Sequence, residues 1–180
     1  KTPEENSLRI SIEAANRRIF DMQRHELALA GMGTTFTMLW EGRTEMLIGH
    51  VGDSRAYLYR DGVLTCRTDD HSVVAELVRN HVITPEMAKT HPYRSVITRA
   101  LGTDPAVEPD LLRVEKQPND VWLICSDGLY NMLEDAEIAE TLAALEGERA
   151  ADKLLELALA HGGHDNVSLV LGCVTEVSVG

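Results

Sequence analysis

Apolar residues at Leu8, Ile12, Ala15, Ile19 and Met22 recur at three- and four-residue spacing, the period of a helix with one face turned to a core. Just before them, Thr2-Pro3-Glu4-Glu5 offers an N-cap, a proline in the first helical position and a reciprocal acid three residues after the cap. A helix is predicted from there, looser between Met22 and Ala30. From Gly33 the pattern changes to the β-branched and aromatic run Thr34-Thr35-Phe36-Thr37-Met38-Leu39-Trp40, closed by Glu41-Gly42-Arg43, which reads as the first half of a hairpin. Its partner is Thr44 to Val51. After Gly52-Asp53 a third strand, Arg55 to Arg60, turns at Asp61-Gly62 into a fourth, Val63 to Arg67. The expected sheet is an antiparallel meander.

Between Asp70 and Asp104 the periodicity weakens to a short helix around Val73 to Val78 and a helix start at Thr84-Pro85-Glu86. This stretch reads as an excursion from the sheet. Strands resume at Leu111 to Glu115 and at Val121 to Cys125, the latter apolar on both faces and therefore central. Helices are expected over Asp135 to Leu145 and, after an interruption at Gly147, over Ala150 to Ala160; the last strand is Val167 to Val174. No internal repeat or low-complexity tract divides the chain, so residues 1–180 are expected to form a single domain.

Composition bounds the chemistry. A chain of 180 residues with 44% hydrophobic positions buries about 70% of its unfolded surface and needs no disulfide or structural metal to hold a core. With 17 basic against 29 acidic residues the formal charge is −12, which opposes nucleic acid and anionic membranes and favours a divalent cation. Cys66, Cys125 and Cys173 are odd in number and set in apolar surroundings, as expected of buried, reduced thiols in a cytoplasmic protein. The longest clean apolar stretch, Val121 to Cys125, is far too short to span a bilayer, so a soluble protein is expected.

Three aspartates occupy comparable places at strand ends: Asp53 in Gly52-Asp53-Ser54-Arg55, Asp127 in Ser126-Asp127-Gly128, and Asp165 in Gly162-Gly163-His164-Asp165-Asn166. Neighbouring glycines let the backbone turn sharply and present a carboxylate at a sheet edge. Converging carboxylates repel one another unless a cation lies between them, and hard oxygen donors select Mg²⁺ or Mn²⁺. Asp-Gly and Asp-Asn are also ordinary turn residues, so none of the three identifies a site alone. Gly31-Met32-Gly33-Thr34-Thr35 lacks a following lysine and leads into a strand, unlike a nucleotide-phosphate loop. His161 and His164 have no cysteine pair or third histidine at zinc-finger spacing and read as solvated histidines or as histidines that support a site's ligands from behind. No arginine stands six residues after any cysteine, which excludes a cysteine-dependent phosphatase, and no Gly-x-Ser-x-Gly elbow is present.

In order along the chain, His50 to Arg55, Asp70-His71-Ser72, Thr98-Arg99-Ala100-Leu101-Gly102, Ser126-Asp127-Gly128 and His164-Asp165-Asn166-Val167-Ser168 resemble the metal-dependent protein phosphatases of the PPM (type 2C) family. The resemblance covers about residues 31 to 175, and Val51 to Gly62 looks especially like the bacterial members. It implies an α+β fold in which two antiparallel β-sheets pack as a sandwich with helices on both outer faces. It also implies hydrolysis of phosphoserine and phosphothreonine in proteins by a water held between two Mn²⁺ or Mg²⁺ ions, with a serine/threonine kinase as the opposing partner. By motif matching, Asp127 and Asp165 would bind one of the paired metals, and Asp53 would join Asp127 on a weaker third. Residues 79–101 would form the mobile flap, where family members usually carry a glycine near the place of His81.

The resemblance breaks at the front. Family members place Arg-x-x-Asn-x-Asp and Asp-Gly-Met-Gly-Gly-His segments upstream of the first long helix, supplying a phosphate-binding arginine, a metal-bridging aspartate and a candidate general-acid histidine. Here the Asp-Gly pairs are Asp61-Gly62 and Asp127-Gly128 alone. The chain is therefore expected to be an N-terminally incomplete catalytic domain, inactive by itself, with apolar sheet surface and strand edges left open. The competing reading is a binding or regulatory module that keeps the fold without assembling the paired metals.

Overall fold

A computed structural model describes residues 2–177. It has the α+β class expected, two antiparallel sheets with helices. The residues fall into two compact units: the first runs through Trp40 and adds Leu47–Asp53 and Asp69–Arg113, and the second takes Glu41–Met46, Ser54–Thr68 and the chain from Val114 on.

In the first unit, helix α1 (Pro3–His25) opens on the capping box read from the sequence. The Thr2 amide donates to Glu5 Oε2 at 2.8 Å, and Glu5's amide donates back to Thr2 Oγ1 at 3.4 Å. This satisfies two of the helix's orphan donors. Strand β2 (Glu45–Val51) runs beneath α1: a Cβ on Gly49 would lie 2.9 Å from Leu8 Cδ2 and 3.2 Å from Ile12 Cδ1, so glycine sets how closely the helix approaches. Leu8, Ile12, Leu47, Val51 and Leu101 form the buried core there. Asn16, also buried, spans from α1 to a turn: its Oδ1 accepts from the Gly102 amide at 2.7 Å and its Nδ2 donates to the Asp104 carbonyl at 3.0 Å.

Strands β1 (Phe36–Glu41), β2 and β5 (Asp110–Glu115) form one sheet, in the order β1-β2-β5. Strands β3 (Arg55–Arg60), β4 (Val63–Cys66), β6 (Val121–Cys125) and β7 (Leu169–Cys173) form the other, in the order β4-β3-β6-β7. The single meander expected over the first four strands is thus corrected. Both hairpins exist, but the chain changes sheets between them at Gly52. That residue holds φ +112°, and a Cβ there would lie 2.6 Å from Thr35 Cβ. A left-handed residue breaks the extended path, and the close approach of Thr35 reserves the place for glycine. The central place expected for β6 is observed.

In the second unit Tyr57, Leu123 and Cys125 project from the sheet into a core with Leu129, Leu133, Ile138, Leu142, Ala150, Leu154 and Ala158. These last residues come largely from α5 (Asp135–Ala144) and α6 (Gly147–Ala160). Helix α6 begins at Gly147, which takes φ +54°, so the expected interruption is its first residue. Leu154 is flanked by small residues four positions away on each side, which lets the helix lie close to its neighbours. A further short helix, α4 (Asp127–Tyr130), was not anticipated. The expectation of buried thiols holds only for Cys125: Cys66 and Cys173 are exposed and in no disulfide, because β4 and β7 are the outer strands of their sheet.

The turn before β6 is fastened by Asp120, a buried carboxylate. It accepts from Arg60 Nε at 2.6 Å and Nη2 at 2.7 Å, and from the Gln117 amide at 2.8 Å. Replacing Asp120 with alanine would strand the guanidinium beside a partly buried site. The expected loss is about 3 kcal/mol of unfolding free energy, read from urea denaturation; a loss under about 1 kcal/mol would show that water replaces the carboxylate.

The excursion between the sheets closes on itself. Helices α2 (Val73–Arg79) and α3 (Pro85–Lys89) start at the caps Ser72 and Thr84. At its base Ser72 bridges Ile97, the Val73 amide donates to the Val96 carbonyl at 2.9 Å, and the Thr98 amide donates to the His71 carbonyl at 2.8 Å. Val82, Met87, Tyr93 and Val96 are exposed along it. His81 takes φ +57°, a left-handed conformation that a glycine holds without strain.

Candidate metal centre

Antiparallel pairing of β6 with β7 sets Cys125 opposite Leu169, so the residues leaving β6 meet those arriving at β7. Ser126 ties the two ends. Its amide donates to the Ser168 carbonyl at 3.0 Å, its Oγ accepts from the Ser168 amide at 3.0 Å, and that hydroxyl donates to the Asn166 carbonyl at 3.2 Å. Ser126 is the N-cap of α4 by position, but its hydroxyl makes no cap hydrogen bond; it is engaged across the strand ends instead. Gly128 follows, and its backbone lies against Asn166. A Cβ at Gly128 would collide with the Asn166 carbonyl oxygen and lie 2.9 Å from its carbon.

Asp127 and Asp165 stand beside this contact, each adjoining one of the touching residues. Asp127 is half-buried in the first turn of α4 and its Oδ2 accepts from Asn131 Nδ2 at 3.4 Å. Asp165 is exposed, and its Oδ1 accepts from the following amide, Asn166, at 2.7 Å, which holds the carboxylate in a local turn. Two carboxylates on adjoining chain ends suit a hard divalent cation, which commonly binds through one or two carboxylates and retains water. Among the described residues no group of three His, Cys, Asp or Glu side chains is arranged to hold a metal ion. The donors therefore fit part of such a centre, with the remaining positions left to water or other oxygen ligands.

Next to α4, the Arg55 guanidinium stacks 3.6 Å from the centre of the Tyr130 ring, and its Nη1 donates to the Tyr57 hydroxyl at 3.1 Å. The cation lies over an aromatic face in a favourable geometry. Burial pushes the Tyr57 phenol far up, against the opposing pull of Arg55, so it stays protonated. His161 and His164 are both exposed, and His161 Nδ1 lies 2.8 Å from the Met132 carbonyl.

Asp53 belongs to the first unit, half-buried just after the Gly52 turn. Behind that turn two histidine rings lie 4.8 Å apart. His50 is buried, with Nδ1 2.9 Å from Thr37 Oγ1 and Nε2 3.1 Å from the Asp69 carbonyl. Burial, and then the neighbouring His71, lower its pKa against the pull of the Asp69 carbonyl, Asp110 and Asp70. For Asp110, burial acts upward, but hydrogen bonds from His71 and Arg99 prevail and hold the carboxyl below its ordinary value. His71 stands in one of the motifs read from the sequence, but its pairing with Asp110 escapes that reading because the two meet across 39 positions.

Both shifts have the same sign for stability. Above about pH 6.5 His50 is neutral folded and unfolded; below it the unfolded chain takes up a proton that the folded site resists, so stability falls as pH drops. Asp110 adds a further loss below about pH 4, as the unfolded carboxylate protonates first. Urea midpoints measured from pH 8 to 3 are expected to decline through these two windows. A midpoint that rises between pH 7 and 5.5 would contradict the buried neutral His50.

Residues 2–159 match the model of the Protein phosphatase 2C family. The serine/threonine protein phosphatase PstP of Mycobacterium tuberculosis is 43% identical over 170 residues, covering 94% of this chain, while the chain spans 33% of that relative's length. The crystal structure of serine/threonine phosphatase Stp1 from Staphylococcus aureus superimposes with a TM-score of 0.91 at 38% identity, over 96% of this chain and 68% of that one. A PstP catalytic domain solved in complex with two manganese ions gives a TM-score of 0.83 at 40% identity, over 94% of this chain and 72% of that one. With more than four fifths of its length inside the family model, and with relatives of 38–43% identity along nearly all of it, the chain belongs to the protein phosphatase 2C family.

Proposed function

We propose that the protein hydrolyses phosphoserine and phosphothreonine residues of other proteins with Mn²⁺ or Mg²⁺, using Asp127 and Asp165 to hold one of two paired ions and Asp53 for a weaker third. The observation that carries this reading is the junction of Ser126 and Gly128 with Asn166, which brings both acidic turns to adjoining strand ends. The two manganese ions in the PstP catalytic domain support the choice of metal. When bound, such a cation supplies Lewis acidity toward water and toward phosphoryl oxygens. The chain's own part is to hold the ligands still: Ser126 locks the strand ends, the Asn166 amide orients Asp165, and the Arg55 stack on Tyr130 braces α4. Cys125, the cysteine next to Ser126, is buried in the core and so is not the nucleophile. Residues 79–101, with their exposed apolar side chains, serve as the flap.

The test is hydrolysis of a phosphothreonine peptide by the full-length protein that contains these residues. Turnover is expected with Mn²⁺ or Mg²⁺ and none in EDTA; metal-independent turnover would sink the proposal. Exposed thiols at Cys66 and Cys173, neither in a disulfide, suit a reducing compartment, where the enzyme would act in the cytoplasm against a serine/threonine kinase. A second reading, a binding or regulatory module, is favoured by one observation, the lack of a three-residue ligand group among the described residues. For the 180-residue chain by itself, calorimetry with Mn²⁺ is expected to show weak binding and a phosphatase assay no turnover. Tight uptake of two ions by that chain would show that it carries ligands beyond the three aspartates.

A further inference from the structure

Gly52, the residue before Asp53, is gripped on both of its peptide groups by one side-chain and main-chain pair. His71 Nδ1 lies 2.9 Å from the Gly52 amide nitrogen, and the His71 amide donates to the Gly52 carbonyl at 2.8 Å. A backbone N–H can only donate, so Nδ1 is the bare nitrogen of the ring and the neutral ring carries its proton on Nε2. That proton points to Asp110 Oδ2, 3.1 Å away. Arg99 Nη1 lies 2.9 Å from the same ring nitrogen, but its own hydrogens are used by Asp110 Oδ1 at 2.8 Å and the Glu108 carbonyl at 3.0 Å. Ring and guanidinium thus converge on one carboxylate, which fixes the plane of the imidazole. His71 is 5% exposed, and its ring packs on that of His50, so it has little freedom to turn. On the far side of Gly52, Thr35 closes the turn.

We propose that His71 is a positioning residue for Asp53: Asp110 and Arg99 set its ring, the ring holds the peptide entering Gly52, and the His71 amide holds the peptide from Gly52 to Asp53, so that the two together aim the Asp53 carboxylate. The His71 carbonyl also receives the Thr98 amide at the base of the excursion, so one residue anchors both that base and the acidic turn. The consequence for metal rests on the reading of Asp53 as a ligand; the grip on Gly52 does not.

The experiment uses the full chain labelled with ¹⁵N, and separates the two. In the unaltered protein a long-range proton–nitrogen spectrum is expected to show His71 Nδ1 unprotonated and coupled across the hydrogen bond to the Gly52 amide. In His71→Leu the Gly52 amide is expected to exchange about tenfold faster, the change that losing one hydrogen bond brings, while amides of β6 keep their rates. His71→Asn, whose Oδ1 offers an acceptor near the place of Nδ1, is expected to restore Gly52 protection. Broadening of the Asp53 amide by Mn²⁺ should weaken in His71→Leu and return in His71→Asn. A protonated Nδ1, unchanged Gly52 exchange in His71→Leu, or loss of protection throughout the chain without rescue by asparagine would each overturn the proposal. Mn²⁺ that spares Asp53 in the unaltered chain would instead overturn the reading of Asp53 as a ligand, with the grip still decided by Gly52 exchange.

Discussion

Asp127→Asn and Asp165→Asn, each made in the full-length protein, are expected to lower Mn²⁺-dependent turnover by about a hundredfold or more. Charge neutralisation by a catalytic cation is worth several kcal/mol, and each ~1.4 kcal/mol is a factor of ten in rate. Asparagine keeps the shape and one oxygen of the ligand and removes its charge, so the loss belongs to the metal rather than to packing. Asp165 is exposed, and at Asp127 the oxygen that asparagine retains can still accept the long hydrogen bond from Asn131 Nδ2. Urea denaturation should therefore move by less than about 1 kcal/mol, the scale of one carboxylate at a helix start. Asp53→Asn is expected to be milder. Near-normal turnover in either of the first two variants would show that the acidic turns are only turns.

Gly128→Ala is the harsher test of the same junction, because it adds one methyl group and leaves every carboxylate in place. The new Cβ would collide with the Asn166 carbonyl oxygen, a main-chain atom held by Ser126 on one side and leading into β7 on the other. Neither backbone can yield cheaply. Overpacking of this kind costs roughly 1–3 kcal/mol, and the shift that relieves it must move α4 away from the 165–166 turn. Activity is expected to fall as far as in the aspartate variants while metal-free stability falls too, a pairing that the asparagine variants should not show. Gly172→Ala is the control, since a Cβ there meets nothing within 4 Å. Full activity in Gly128→Ala would mean that the two turns need not touch.

What could be read ahead of the structure was whatever the chain encodes over a few residues. The Thr2 and Glu5 capping box, the hairpin turns at Glu41-Gly42-Arg43 and Asp61-Gly62, and the doubly apolar β6 all carry their signal locally. Partition of the strands between two sheets does not, since β1 with β2 and β3 with β4 make the same hairpins in either arrangement; the difference lies in β5 and β6, far along the chain. Helix α4 has four residues, too few to repeat a period, and its capping serine spends its hydroxyl elsewhere. Cys66 and Cys173 each stand two residues after a leucine of the same strand, Leu64 and Leu171, as core residues would, but strand order placed them on outer strands. At the candidate centre the aspartates were visible through their glycine neighbours. The tie that joins two of them was not: Gly128 looks like any turn glycine until Asn166 is set against it. His81 is the converse case, a position where resemblance pointed to glycine and the backbone shows the positive φ that explains why.

The clasp at the base of the excursion has a further consequence. Because Ser72, Val73, Val96, Ile97 and Thr98 join the two ends by backbone pairing, the entropy of closing that loop is met at the neck and not by its contents. Doubling a flexible loop costs only about 0.6 kcal/mol more. Residues 80–95 can therefore be lengthened, shortened or exchanged with little effect on the strands on either side, so long as the neck pairs survive. The excursion behaves as a cassette: a stretch whose surface can be exchanged while the sheets and their acidic turns stay as they are.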